Sequence, residues 1–275
     1  MLFLIVAVVA AAASASEGAD GLRLHGFADS IYYSANVSRG KVPFARPILF
    51  QEFEVDVGWR DWGDVLFYYA PTHSLTAIRD SVSRRLFMED DILVAYAYNF
   101  KLADGWALRT RNGGLWILAR NLKPPYRGVD DKTAFEWYTR ETLVTPWVNF
   151  YAAVHYRERP YQGVYFKSGF IRTFDLGRGL SLTAELCSEG GNKEWNQNRY
   201  GHRITWRKSD YRAGPADLRS DLTLSCEIFE NCRIFAGIHT FDMIMDEARA
   251  QGKYHAAKGY RNDVAYYTLG VIYSF

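Results

Sequence analysis

Residues 218–241 read "LRSDLTLSCEIFENCRIFAGIHTF". Leu218, Leu222, Leu224 and Ile228 fall on one side of an extended chain. Asp217, Arg219, Asp221, Thr223, Ser225 and Glu227 fall on the other. A side-chain period of two is that of a β-strand with two unlike faces. The residues Glu230, Asn231 and Cys232 supply a tight turn into a second strand, 233–243. That register brings Arg233 and His239 to the charged side, with His239 facing Asp221 or Thr223. It leaves Cys226 on the apolar face.

The same pattern recurs. In "QEFEVDVGW" (51–59) Phe53, Val55, Val57 and Trp59 alternate with Glu52, Glu54 and Asp56. In "DILVAYAYNF" (91–100) Ile92, Val94, Tyr96, Tyr98 and Phe100 share a face. About twelve strands are predicted: 22–36, 50–60, 64–71, 90–102, 105–119, 133–144, 148–157, 163–175, 180–187, 217–228, 233–243 and 262–275. Those starting at 64 and 133 alternate poorly and are placed partly by their flanking turns.

The connections alternate too. Tight turns ("DWGD", "ADG", "TPW", "GRG", "ENC") separate long gaps near 37–49, 72–89, 120–132, 188–216 and 244–261, with a shorter gap at 158–162. Short turns at one end and long loops at the other are the arrangement of an outer-membrane barrel. Trp62, Trp106 and Trp147 accompany three of the five tight turns, as an interfacial girdle does. A tilted membrane strand needs roughly 9–11 residues, and twelve such strands with their loops fill the chain. The expected fold is therefore all-β: a transmembrane, antiparallel, up-and-down barrel. "HRITW" (202–206) offers a further hairpin, which gives fourteen strands as the alternative.

Residues 1–15, "MLFLIVAVVAAAASA", are uncharged and end in a small-residue Ala13-Ser14-Ala15 site. They are expected to be a cleavable signal peptide, leaving residues 16–275 as the barrel domain and the outer membrane as destination. No other segment holds 18 consecutive apolar residues. The 33 basic and 31 acidic side chains nearly cancel, unlike the charge of a nucleic-acid binder. Cys187, Cys226 and Cys232 match no zinc spacing, and no disulfide, metal or cofactor is expected.

The last residues, "TLGVIYSF", resemble the C-terminal assembly signal of Gram-negative outer-membrane barrels through Thr268, Gly270, Tyr273 and Phe275. The resemblance implies recognition by the barrel-assembly machinery. It also implies a lipid face of Leu269, Val271, Tyr273 and Phe275, with the final strand pairing to the first. The stretches "SRGKVPFARPILFQEFEVDVGWRDWGDVLFYYA" and "FIRTFDLGRGLSLTAEL" make the chain similar to a broad group of bacterial outer-membrane barrels of this strand number. "FQEFEVDVGWRDWGD" is faintly similar to nucleoside-specific outer-membrane channels, over the first quarter only, and no nucleoside site is carried across.

Function then depends on the lumen, since eight strands fill their interior and sixteen or more leave a channel. Alternation assigns Glu52, Glu54, Asp56, Lys101, Arg109, Arg111, Lys167, Asp217, Arg219, Asp221 and Glu227 to it, with Arg157, Asp175 and Glu185 beside them. Acidic and basic rows set pore selectivity. The expected function is diffusion of small polar solutes, and the expected partners are outer-membrane lipid and lipopolysaccharide. The alternative is a sealed barrel that binds through its outer loops. Leu75, Ile78, Val82 and Leu86 are spaced for a short helix at the mouth. Outer-membrane lipid hydrolases share a His-x-Ser motif, and no histidine here stands two residues before a serine.

Phe275→Ala is expected to lower the amount of folded barrel in the outer membrane severalfold without lowering synthesis. The heat-modifiable gel band of membrane fractions measures it.

Overall fold

The computed structural model describes residues 21–38, 41–44, 47–75, 88–120, 133–159, 162–200, 211–249 and 263–275. Its strands are β1 (Leu22–Tyr33), β2 (Asn36–Ser38), β3 (Lys41–Phe44), β4 (Ile48–Trp59), β5 (Asp64–Ser74), β6 (Met88–Ala103) and β7 (Trp106–Arg120). They continue with β8 (Thr133–Val144), β9 (Asn149–Arg159), β10 (Gly163–Gly177), β11 (Leu180–Gly191), β12 (Gly214–Phe229), β13 (Cys232–Met243) and β14 (Asp263–Ser274). A helix, α1 (Lys193–Tyr200), lies between β11 and β12.

Twelve of the strands close into one antiparallel barrel in which β1 pairs with both β4 and β14. The seam runs from Phe27↔Ser274 to Tyr33↔Thr268. Below it, Gly26 and Phe275 exchange both backbone hydrogen bonds, at 2.9 and 3.0 Å. Closure leaves no unpaired edge, which a hydrocarbon environment requires. Twelve strands complete the ring, so the fourteen-strand alternative is not realised; residues 202–206 lie outside the described residues.

Side chains divide between the two faces as the alternation requires. Leu222, Leu224, Ile234, Ile238, Leu269 and Val271 stand exposed on the outer wall. Glu54, Asp56, Glu136, Glu189, Asp217 and Thr268 are buried on the inner one. The tight turns rely on left-handed backbone: Gly105 and Gly179 both sit at φ +76°, where a side chain is strained. In the β12–β13 hairpin the turn is two residues long, Glu230 and Asn231, and Cys232 already belongs to β13. A bulge between Glu227 and Phe229 takes up the extra residue, so His239 faces Asp221. All three thiols are free.

Trp62 and Trp147 are exposed at the short-turn end, and the Trp147 ring meets that of Trp106 edge-on at 5.7 Å. A second aromatic group, Trp116, Phe135 and Trp137, lies toward the other end, with successive ring centroids at 5.0 and 5.1 Å.

At the long-loop end, β2 and β3 form a small separate hairpin. The long gap after β11 begins with α1. Trp195 and Asn196 on that helix have no solvent exposure. The Asn196 amide donates to the carbonyls of Gly191 (3.1 Å), Arg212 (2.9 Å) and Gly214 (3.3 Å), tying the helix to the ends of β11 and β12. Neither the hairpin nor this helix was expected from the sequence. The helix expected over 75–86 falls almost wholly on residues outside the described ones.

Asn196→Ala removes the donor from these carbonyls and is expected to cost about 1–3 kcal/mol locally. Proteolysis of intact cells should cleave the 192–213 segment faster, while barrel gel mobility stays unchanged.

Candidate functional site: the charged lumen

The inner wall is built from cross-strand neighbours. Asp29 on β1 lies opposite Glu52 on β4, and the Glu52 backbone N–H donates to the Asp29 carboxylate at 3.0 Å. Glu54 and Asp56 continue this acidic row. The Tyr68 hydroxyl donates to Glu52, and His25 lies 3.2 Å from Asp56.

The facing arc is basic. Arg111 on β7 donates through both terminal nitrogens to Glu54, at 3.1 and 3.2 Å. Strands β5 and β6 lie between β4 and β7, so this bidentate pair is a chord across the lumen and not a rung of the ladder. Arg140 follows on β8, its guanidinium 4.6 Å from the centre of the Tyr151 ring.

Three further networks line the wall. Glu136, without solvent exposure, accepts from Arg157 Nε at 2.8 Å and pairs with His155 Nδ1 at 2.9 Å. Glu185 accepts from the Tyr151 hydroxyl and pairs with Lys167 at 3.3 Å. Arg219 pairs with Glu189, and Asp221 meets His239 Nδ1 at 2.7 Å, whose Nε2 reaches the Thr268 hydroxyl at 2.8 Å. Gly237 makes this last contact possible. A Cβ there would lie 2.6 Å from His239 Nε2 and 2.7 Å from Thr268 Oγ1.

The Asp221–His239–Thr268 order is that of an acid, a base and a hydroxyl nucleophile. However, Thr268 is only 2% exposed and sits mid-strand between paired neighbours β13 and β1. Among the described residues, no turn or helix N-terminus presents N–H groups to a developing oxyanion there. Glu185, Cys187 and Asp221 bring ligand atoms within 4.8 Å of one another, but Lys167 and His239 already engage the two carboxylates.

Most of the sequence-assigned residues face inward together: Glu52, Glu54, Asp56, Arg111, Lys167, Asp217, Arg219 and Asp221. Lys101, Arg109 and Glu227 share that parity but sit exposed at the short-turn mouth, where Lys101 pairs with Asp104 (3.3 Å) and Glu227 with Arg233 (3.5 Å). Arg157 and Glu185 join the wall networks, and Asp175 accepts from the Gly177 N–H within its turn at 2.8 Å. Asp29, Glu136, Arg140, Tyr151 and Glu189 were missed. Glu136 and Arg140 lie on β8, whose broken alternation hid its inner face.

Openness differs along the axis. Arg23 and His25, near the short turns, have half-exposed side chains (51% and 52%). Toward the long loops, inward Tyr165, Glu136, Asp217 and Phe241 are all at most 4% exposed. Leu66, Leu93, Ala95, Leu115, Ile117 and Ala134 form one apolar cluster that begins near the short-turn end of β5, and Phe241, Met243 and Tyr266 belong to another toward the long loops.

An outer-membrane channel from Pseudomonas putida F1 shares this architecture at TM-score 0.52 and 6% identity, covering 94% of this chain and 98% of that one. The fold is that of an outer-membrane β-barrel. The KdgM porin aligns at TM-score 0.49 and 10% identity, over 91% of this chain and 99% of its own. The outer membrane phospholipase A of Escherichia coli aligns at 0.45 and 14%, over 90% and 92%. No family model and no curated protein sequence matches the chain.

Glu136→Ala strips Arg157 and His155 of their shared carboxylate. Breaking a buried pair from one side costs about 3–5 kcal/mol. The urea midpoint of the barrel refolded into lipid vesicles should fall accordingly.

Proposed function

We propose that this protein is an outer-membrane channel passing small polar solutes through a narrow, charged lumen. The observation that carries the reading is the Glu54–Arg111 chord. Acidic β1 and β4 are separated from basic β7 and β8 by only β5 and β6, so a transverse field crosses that part of the lumen. Such a field orders dipolar solutes and sets ion preference. The half-exposed ionic side chains at the short-turn end support a wide aqueous vestibule beneath it. The apolar outer wall supports residence in outer-membrane lipid with lipopolysaccharide above. The C-terminal residues support delivery there by the assembly machinery after export.

A second reading rests on a different observation. The inward residues toward the long loops are packed, and this favours a sealed barrel that works through its outer loops.

Planar-bilayer recording of refolded protein separates the two. Discrete conductance steps are expected, and silence at every voltage would eliminate the channel. Arg111→Ala removes the bridging side chain and leaves Glu54 unpaired. Its conductance is expected to rise and its cation-over-anion preference to increase severalfold, read from reversal potentials in a salt gradient.

A further inference from the structure

The outer wall carries a feature that neither lipid contact nor solute passage uses. Outward residues on β7 run Trp106, Leu108, Thr110, Asn112, Gly114, Trp116. Those on β8 run Phe135, Trp137, Thr139, Glu141, Leu143. The aromatic groups at either end mark the two interfaces of the bilayer. Between them, where the wall should be most apolar, stand two threonines, an asparagine and a glutamate. The same ladder row continues through Ala152 on β9 and Ser168 on β10.

These groups are only partly satisfied within the wall. The Thr139 hydroxyl donates to Asn112 Oδ1 at 2.7 Å and lies 3.5 Å from Glu141 Oε1. Asn112 is exposed on this wall and Glu141 partly so, and among the described residues the Asn112 amide nitrogen has no hydrogen-bond partner. Polar groups there lack the water that would otherwise pair them, and intramembrane ionisable residues mark functional surfaces. A lipid headgroup is held at the interface and does not reach this depth.

We infer that this patch is the contact between two copies of the chain in the membrane. The register supplies the reason. Thr110 lies directly opposite Glu141, and Asn112 directly opposite Thr139. A two-fold axis along the membrane normal, passing between β7 and β8, sets β7 of one copy against β8 of the other at equal depth. Each Thr110 hydroxyl then meets a Glu141 carboxyl of the second copy, and each Asn112 amide meets a Thr139 hydroxyl. The patch holds both donors and acceptors, arranged so that each contact is made twice, as an isologous interface demands. Ala152, exposed beside the polar set, keeps that flank of the wall low.

The test uses the full chain, with Cys187, Cys226 and Cys232 changed to Ser, refolded into lipid vesicles. Leu108→Cys places a thiol beside the axis, outside the polar set. Oxidation with copper phenanthroline is expected to yield a covalent dimer. Ile238→Cys, on β13 at the far side of the barrel, is expected to yield none. Adding Glu141→Leu and Thr139→Val to Leu108→Cys should lower the cross-linked fraction by at least about tenfold. Heat-modifiable mobility confirms that each variant is folded. Glu141→Gln, which keeps the shape, serves if the leucine variant does not fold, and a lower yield is expected from it too. The inference fails if Leu108→Cys stays monomeric, if Ile238→Cys cross-links equally, or if the apolar changes leave the yield intact.

Discussion

Backbone amides in hydrocarbon have no solvent partner, and every other property of this chain depends on meeting that demand. Closure between β1 and β14 meets it. With the ring complete, each strand has a neighbour on both sides, and alternation acquires a fixed meaning of inside and outside. The charged row of β12 can then be wet while the leucines of the same strand are not. A slip of one residue at the seam would exchange the two faces of a strand. The paired hydrogen bonds of Gly26 and Phe275 hold that register at its end.

The interior then has to settle a different balance. A ring of twelve strands draws many ionic groups into a small volume, and each loses water on entering. The structure answers with pairing at nearly every level: Glu136 with Arg157 and His155, Glu185 with Lys167, Glu189 with Arg219, Asp221 with His239. These contacts lie between neighbouring strands and stiffen the wall. The Glu54–Arg111 pair reaches further, past the two intervening strands β5 and β6.

Fold and site differed in how much the sequence revealed. Strands such as β4 and β12 have unlike faces, so their existence, direction and inner residues could be read directly. On β5 the inner face carries Leu66 and Ala70, both without solvent exposure, so the two faces look alike. On β8 the outer face carries Thr139 and Glu141, so the contrast vanishes from the other side. Both strands were placed, but their faces could not be assigned. Partners such as Glu136 and Arg157 depend on the register between two strands and on side-chain reach, which periodicity does not encode. The Glu54–Arg111 chord depends on curvature and was invisible until the ring was closed. Helix α1 has little apolar contrast, and its place is fixed by Trp195 and Asn196 packing into the barrel mouth.

The lopsided filling of the barrel has an electrical consequence. In a tapering tube of electrolyte, resistance concentrates where the cross-section is least, and voltage falls where resistance is greatest. In the proposed channel, the end with exposed Glu227 and Arg233 would be nearly equipotential with the adjoining solution. In the channel proposed above, the potential across the membrane would therefore fall mainly over the crowded half near Glu189 and Arg219, and these residues would feel a steeper gradient than the bilayer thickness alone implies.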